Sequence, residues 1–280
     1  MNLLSKIFAY IKITRPLNVI ITFCVVIVAV LIAQENPTEI SLVILASLPA
    51  ALIAAAGNVI NDVYDIETDR ISHPERVLPL GTITKTEVKI EYLVLNALAG
   101  IISVNISITL FILVFVSALL LLVYSAYLKK IPLVGNITIA ALTGLAFIYG
   151  GFAVGNPEAA IIPALFAFLI NLIREVVKDV QDVEGDRKQN INTFPVKYEI
   201  EFAKKLAIII TIILIAFTFY PFIAKLYKIE YFIVVMVFVN PVLVLCIKSL
   251  MQKRESNIVL VSNLLKLNMI TGLIAIYFGN

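Results

Sequence analysis

Long apolar segments separated by short polar segments run along almost the whole chain, and this pattern predicts membrane-spanning helices. Each apolar segment is roughly 17 to 24 residues long, which is enough for a helix to cross the ~30 Å hydrocarbon core of a bilayer. The segments lie at residues 17–33, 40–60, 89–104, 106–128, 133–155, 158–177, 203–222, 230–248 and 257–278. The boundary between the third and the fourth is the least defined, because only Gly100 and a few polar residues interrupt the apolar sequence there. The pattern predicts an all-α membrane protein, a bundle of nine transmembrane helices.

The first 16 residues have a different pattern from the segments that follow. They mix apolar residues with Lys6, Lys12 and Arg15 and contain no apolar run long enough to cross a bilayer. Short segments of this composition favour a helix that lies at the membrane surface. We therefore expect an interfacial helix that leads into the first span.

The composition agrees with a protein embedded in a bilayer. Of the 280 residues, 61% are hydrophobic and 15% are charged, and the mean hydropathy is +1.00. A soluble protein of this length cannot bury so much apolar sequence in one core. No Gly/Ser-rich linker or low-complexity tract interrupts the chain, so we interpret residues 1–280 as a single membrane domain.

Nine crossings assign each connecting segment to one side of the membrane, and the positive charges are distributed unequally between the two sides. All but three of the 22 lysines and arginines lie on the side that holds the N-terminus and the segments after even-numbered spans. The exceptions are Lys225 and Lys228 on the other side and Lys266 within the last span. The positive-inside rule makes the first side cytoplasmic, as in a multi-pass protein of the cell membrane. The net charge of +3 therefore reflects topology and does not indicate a surface for nucleic acid.

Two clusters of aspartates follow the second and the sixth apolar segments. In each cluster, aspartates recur at positions i, i+3 and i+7: Asp62, Asp65 and Asp69 in the first, and Asp179, Asp182 and Asp186 in the second. A helix that continues through a cluster places its three carboxylates on one face. Such a face repels itself unless a cation holds it together. Carboxylate oxygens suit Mg²⁺, which binds a few carboxylates together with the phosphates of a substrate.

The clusters are too polar to face lipid. Six aspartates in hydrocarbon would cost roughly 15 to 20 kcal/mol, at about 3 kcal/mol each, and Asn58 and Asn61 add amide groups beside the first cluster. An even number of crossings separates the clusters, so both are expected on the cytoplasmic side. We predict that they face a central cavity that opens to that side.

Cations near the clusters are candidates for binding phosphate groups. Arg15, Lys129 and Arg174 lie next to or within apolar segments, and Arg70 and Arg76 follow the first cluster. Most such residues determine topology or contact lipid headgroups, so both roles stay open. The sequence contains neither a Walker-type loop nor a nucleophile elbow. It supplies metal ligands and cations without an obvious covalent nucleophile.

These clusters resemble the two motifs of the UbiA superfamily of intramembrane prenyltransferases, and the resemblance covers essentially the whole chain. Asn61, Asp65 and Asp69 fit the first motif, Asp182 and Asp186 fit the second, and Asp62 and Asp179 extend them. Residues that also resemble family stretches are Tyr124, Ser125, Lys129, Asn136, Gly185, Thr193 and Pro195. The loop after the first motif departs from the family pattern but keeps Arg76, Pro79 and Gly81.

The resemblance implies Mg²⁺-dependent transfer of an isoprenyl group from its diphosphate to an acceptor, with release of diphosphate. It implies Asp65, Asp69, Asp182 and Asp186 as catalytic residues, joined as metal ligands by Asn61, Asp62 and Asp179. The residues expected to bind substrate are Arg15, Asn58, Arg70, Arg76, Tyr124, Lys129 and Arg174. The chain most resembles the archaeal branch, which joins geranylgeranyl diphosphate to geranylgeranylglyceryl phosphate and so forms the second ether bond of archaeal lipids.

Two alternatives stay open from the sequence. In other branches of this superfamily the acceptor is an aromatic compound, as in quinone, haem or tocopherol pathways. A cation transporter also uses intramembrane carboxylates, but it predicts ionisable groups near the membrane midplane. Here the carboxylates cluster at one side, and Lys266 is the one charge in the middle of a span. The pattern therefore favours an enzyme.

Overall fold

The computed structural model describes residues 3–34, 39–188, 191–252 and 256–279, and within these ranges the chain forms helices and no strands. The α-helices are α1 (Leu3–Ile13), α2 (Pro16–Ala33), α3 (Ile40–Ser72), α4 (Lys85–Ile106), α5 (Ile108–Ala126), α6 (Val134–Ala153), α7 (Ile161–Lys188), α8 (Phe194–Tyr198), α9 (Ile200–Ile223), α10 (Ile229–Val234), α11 (Asn240–Met251) and α12 (Ser256–Gly279). Short 3₁₀ turns occupy Leu128–Lys130 and Glu158–Ala160, and a π-helical turn, Val235–Val239, joins α10 to α11.

The nine predicted spans are confirmed. In the described part of the chain, nine helical segments are long and apolar enough to cross a membrane, and each contains or overlaps one predicted segment. The protein is therefore an all-α, multi-pass membrane protein. The predictions of a single domain and of a central cavity stay predictions.

The chain divides into two compact units. One comprises Met1–Leu128 and Ala146–Glu158, and the other comprises Lys129–Leu145 and Ala159–Asn280. In the first unit α3 packs against α2, α4 and α5. Gly150 lets the segment 146–158 approach α2 closely, because a Cβ at Gly150 would lie 2.5 Å from Ala29 Cβ. These contacts hold α3, which carries the first aspartate cluster.

The connection between α3 and α4 is fixed by local chemistry. Gly81 has a φ of +69°, which glycine adopts without the steric cost that a side chain would add. Thr84 then forms a capping box: its hydroxyl accepts from the Glu87 amide at 3.2 Å, and the Glu87 carboxylate accepts from the Thr84 amide at 2.7 Å. The start of α4 is therefore determined by the sequence at Thr84.

The break between the third and the fourth span lies at Ser107. This residue is extended, with φ −164° and ψ 143°, and its hydroxyl accepts a hydrogen bond from the Thr109 amide at 3.1 Å. Serine is a preferred N-cap because its side chain satisfies a free amide of the first turn. The residue therefore starts α5, whereas Gly100 lies inside α4 without interrupting it.

In the second unit α7 packs against α9 and α12. A Cβ at Gly144 would lie 2.8 Å from the Ala164 carbonyl oxygen, so a glycine is needed where α6 meets α7. Two buried amides inside spans of this unit are paired: the Asn240 amide donates to Thr218 at 3.1 Å, and the Asn268 amide donates to the Val239 carbonyl at 3.2 Å. Such bonds stabilise helix packing where no water is present.

Candidate active site

The first aspartate cluster lies on a helix that continues beyond the apolar segment. The 33 residues of α3 correspond to about 50 Å at 1.5 Å per residue, and all three aspartates of the cluster lie within the helix. The helix ends at Ser72, and His73 is its C-cap, because the following Pro74 disfavours helical backbone at His73. The prediction that Asp62, Asp65 and Asp69 share one helical face is therefore confirmed.

Each carboxylate of this cluster has a partner from the protein. Arg15 Nη2 lies 2.6 Å from Asp62 Oδ1, and Arg76 Nη1 lies 2.6 Å from Asp69 Oδ1. The Asn61 amide donates to Asp65 Oδ2 at 2.7 Å. The mutual repulsion of the three carboxylates, for which the sequence required a cation, is relieved in this structure by two arginines and an amide.

The ion pair of Arg76 with Asp69 is well shielded from solvent. The Asp69 side chain is 5% exposed and the Arg76 side chain 31% exposed. Burial lowers the pKa of the Arg76 guanidinium, but the hydrogen bond to Asp69 and the charges of the nearby aspartates raise the pKa above its ordinary value overall. Arg76 is therefore charged throughout the physiological pH range.

The donor set of the first cluster fits a divalent metal ion. Asp69 Oδ2 is buried and accepts no hydrogen bond from any described residue, although a carboxylate oxygen has lone pairs for further partners. In the described ranges no three His, Cys, Asp or Glu side chains converge closely enough to hold a metal alone. Mg²⁺ does not need such a group, because it commonly binds one or two carboxylates together with water and substrate phosphates.

Two further residues near the first cluster have contacts of a different kind. The Asn58 amide donates to the Thr14 carbonyl at 2.8 Å, which ties α3 to the segment before α2. Arg70 pairs with Glu67 at 3.0 Å, and both side chains are largely exposed. Asn58 therefore lies beside the residues that hold Asp62, while Arg70 lies at the surface of the helix.

The second cluster also lies inside one helix, the 28-residue α7. Asp179 Oδ2 accepts a hydrogen bond from the Asn136 amide of α6 at 2.9 Å. Asp186 Oδ2 accepts from the Thr193 hydroxyl at 2.9 Å, and Asp182 is exposed. The three carboxylates again share one helical face, as the sequence predicted, but neutral donors take the place of arginines.

The remaining predicted substrate residues lie near helix ends or in α7. Arg174 Nη1 lies 3.2 Å from Glu175 Oε1, so this cation is shared with a neighbouring carboxylate. Tyr124 lies in the last turn of α5, and Lys129 lies in the 3₁₀ turn that follows in the chain. Both side chains are half-buried.

Asn136 and Thr193 are not among the site residues predicted from the sequence, although both resemble family stretches. The structure shows both donating to aspartates of the second cluster. A partly buried pair in the same unit, the Asn171 amide donating to the Thr143 hydroxyl at 2.5 Å, was not predicted. The available signal was an amide side chain within an apolar segment, where an unpaired polar group is costly.

The chain is similar to known proteins over most of its length. The profile of the UbiA prenyltransferase family matches residues 21–269. Digeranylgeranylglyceryl phosphate synthase of Methanothermobacter thermautotrophicus is 39% identical over 198 residues, which cover 71% of this chain and 69% of the relative. The enzyme of the same name from Saccharolobus solfataricus is 32% identical over 276 residues, which cover 97% of this chain and 96% of the relative.

Solved structures extend the comparison to the whole fold. A structure of digeranylgeranylglyceryl phosphate synthase has a TM-score of 0.86 and 31% identity, covering 98% of both chains. A UbiA homolog from Archaeoglobus fulgidus, bound to DMAPP and Mg²⁺, has a TM-score of 0.70 and 18% identity, covering 95% of this chain and 98% of that one. The second comparison shows a shared fold. The family profile and the relative matched over nearly the full chain show the family, and the chain belongs to the UbiA prenyltransferase family.

Proposed function

We propose that this protein is a digeranylgeranylglyceryl phosphate synthase, which transfers the geranylgeranyl group of geranylgeranyl diphosphate to geranylgeranylglyceryl phosphate and releases diphosphate. The observation that carries this proposal is the similarity, over nearly the full chain, to an enzyme of that name and to a solved structure of it. Each aspartate motif presents its carboxylates on one face of its own helix, and this supports binding of a metal ion and diphosphate.

The metal requirement follows from the same residues. We propose that Mg²⁺ is bound by Asp65, Asp69, Asp182 and Asp186, with Asn61, Asp62 and Asp179 as further ligands. Bound Mg²⁺ supplies positive charge that stabilises the diphosphate as a leaving group. The buried Asp69 oxygen without a hydrogen-bond partner among the described residues supports this assignment, because such an oxygen is costly unless a cation or a donor reaches it.

The protein's own cations then bind the anionic substrate groups. Arg15 and Arg76 hold Asp62 and Asp69 in position. A guanidinium has five N–H donors, so an arginine bonded to one carboxylate can also donate to a diphosphate oxygen. The other residues that we propose for substrate binding are Asn58, Arg70, Tyr124, Lys129 and Arg174.

The proposed reaction requires that the apolar spans keep water away from the reacting carbon. The allylic C–O bond breaks with its electron pair leaving on the diphosphate, and the acceptor hydroxyl oxygen forms the new ether bond and releases its proton. Water would compete for the same allylic carbon. Apolar side chains that exclude water from the reacting carbon therefore favour ether formation over hydrolysis.

The acceptor can be identified by a direct assay. Purified protein with labelled geranylgeranyl diphosphate and Mg²⁺ is offered geranylgeranylglyceryl phosphate and 4-hydroxybenzoate together. We expect label in the glyceryl ether phosphate product and none when EDTA replaces Mg²⁺. Label in prenylated 4-hydroxybenzoate would instead assign the chain to the branch with aromatic acceptors. Membership of a prenyltransferase family leaves no observation that favours a cation transporter.

A phosphorylated acceptor brings a second anion to a site that already binds diphosphate, and this requires cations beyond the metal. Neutralising Arg70, Arg76, Lys129 and Arg174 one at a time by methionine should identify those that serve the acceptor. Such a variant should raise the KM for the glyceryl phosphate more than the KM for the diphosphate. Equal changes in both KM values for all four variants would contradict an acceptor role for these cations.

We further propose that the aspartate motifs lie on the cytoplasmic side, as the distribution of lysine and arginine predicts. Single cysteines replacing the exposed Glu67 and Glu184 can test this in a background with Cys24→Ser and Cys246→Ala. In intact cells a membrane-impermeant thiol reagent should label neither cysteine, and in inverted vesicles it should label both. Labelling of either position in intact cells would contradict the proposed topology.

A further inference from the structure

The helix α1 is held to the first unit by one of its faces. It has 11 residues and is about 16 Å long, too short to cross a bilayer. Ala9 and Ile13, which are 5% and 1% exposed, pack in one cluster with Val59 and Val88. Lys6 Nζ pairs with Glu87 Oε1 at 2.8 Å. The inner face of α1 is therefore occupied by α3 and α4.

The opposite face of α1 is an apolar stripe that the described residues leave largely uncovered. Leu4, Ile7, Phe8 and Ile11 are 71%, 47%, 75% and 53% exposed. Their spacing of i, i+3, i+4 and i+7 places all four on one side of the helix. Ser5, which is also exposed, lies beside this stripe. Contiguous exposed apolar side chains of this size indicate a contact with a membrane or with another protein.

Three contacts fix the level of α1 relative to the spans. Lys6 reaches Glu87, two residues after the start of α4. At its other end, the Thr14 carbonyl accepts from Asn58, and Arg15 pairs with Asp62. Glu87, Asn58 and Asp62 all lie close to the ends of their predicted apolar segments, which is where a span meets the membrane surface. The helix α1 therefore lies at the depth of the lipid headgroups and the upper acyl chains.

We propose that α1 is a membrane-surface anchor, with its apolar stripe among the acyl chains of the cytoplasmic leaflet and Ser5 towards the headgroups. The occupant is membrane lipid because the next element in the chain, α2, is a membrane span whose apolar side chains near α1 are also exposed. The span α2 begins three residues after α1, and its Leu17, Ile20 and Ile21 are 70%, 58% and 52% exposed. One lipid shell covers both surfaces.

The anchor has a consequence for the first aspartate cluster, and this step rests on the proposed function. Arg15 connects α1 to α2 with a φ of 54°, a left-handed conformation that residues with a side chain rarely adopt. Such a turn persists when the structure on both sides holds it. With α1 fixed in the lipid surface and α2 in the bilayer, Arg15 stays on Asp62. Loss of the anchor releases this ion pair.

The lipid contact can be measured without any activity. The chain has no tryptophan, so Ile11→Trp introduces a single reporter in the middle of the stripe. Ser5→Trp is the matched control, because Ser5 lies about 120° around the helix from Ile11. In liposomes of phospholipids brominated near the top of the acyl chains, Ile11→Trp should lose roughly half of its emission or more, as expected for a face buried about 5–10 Å in the interface. Ser5→Trp should lose much less. Equal quenching of the two reporters, whether weak or strong, would overturn the proposed orientation.

The coupling to Arg15 is tested by a second pair of measurements. Phe8→Asp combined with Ile11→Asp replaces two of the four apolar side chains of the stripe by charges and leaves the inner face of α1 intact. It should lower the turnover of the reconstituted protein several-fold, but have no further effect in an Arg15→Met background, because residues that act through one another are not additive. The same fold loss in both backgrounds would overturn the coupling. If every variant, including the parent, lacks prenyl transfer, the proposed function fails while the quenching result still decides the lipid contact.

Discussion

Replacement of Asp65, Asp69, Asp182 or Asp186 by asparagine, one at a time, is expected to lower turnover at least about a hundredfold, because small misplacements at such a site already cost this much. Asparagine keeps the size of the side chain and removes its charge. The variant therefore loses a metal ligand while the helix around it is unchanged. Turnover is measured at saturating Mg²⁺ and saturating geranylgeranyl diphosphate, so that weaker binding alone does not explain the loss.

The chain offers a matched control for each aspartate motif. Glu67 lies in α3 between Asp65 and Asp69, and Glu184 lies in α7 between Asp182 and Asp186, but both glutamates are exposed and point away from the carboxylate stripe. Glu67→Gln and Glu184→Gln should keep near-normal turnover, although each also removes one negative charge. If any two of the four asparagine variants kept near-normal turnover, the assignment of both motifs to the metal and diphosphate would be wrong.

Replacement of Arg76 by methionine is expected to destabilise the protein by about 1–3 kcal/mol. Removing one partner of a buried ion pair typically costs 3–5 kcal/mol, and the partial exposure of Arg76 reduces this cost. The physical reason is the charge of Asp69, which stays buried without its partner. The measurement is the apparent Tm in detergent, compared at one scan rate because unfolding of membrane proteins is often irreversible.

A second substitution separates the structural from the chemical role of this pair. The double variant Arg76→Met with Asp69→Asn buries no charge and should regain most of the lost Tm, but it should stay inactive because Asp69 is a proposed metal ligand. Arg70→Met is the control, since its partner Glu67 is exposed and such surface pairs contribute about 0–1 kcal/mol. A double variant no more stable than Arg76→Met would show that the buried charge of Asp69 is not the cause.

The N-terminal ends of α4 and α5 show which features local sequence predicts and which it does not. The apolar length alone predicted both spans, because it depends on the thickness of the bilayer and on nothing else in the fold. Where one helix ends and the next begins depends instead on single hydrogen bonds. The Ser107 hydroxyl decides the position by accepting from the Thr109 amide, and several polar residues nearby were equally plausible from the sequence.

The partners of the carboxylates could not be predicted in the same way. Arg15 and Asp62 are 47 residues apart in the chain, and Asn136 and Asp179 are 43 apart. The sequence identified Arg15 as a cation near a span entrance, but whether it meets a carboxylate, a phosphate or a lipid headgroup depends on how α1 and α2 pack against α3. The exposed stripe of α1 likewise appears only when its inner face is seen against α3 and α4.

The sequence by itself determined the membrane class, the nine spans, the carboxylate stripes and the family, because hydropathy, helical period and motif spacing are properties of neighbouring residues. Only the tertiary structure decided that arginines neutralise Asp62 and Asp69 and that neutral donors hold Asp179 and Asp186. It also decided which face of α1 is left for lipid. The physical reason is that the free energy of a charged or apolar side chain depends on the atoms within a few ångströms of it. Those neighbours are determined by how segments distant in the sequence pack together.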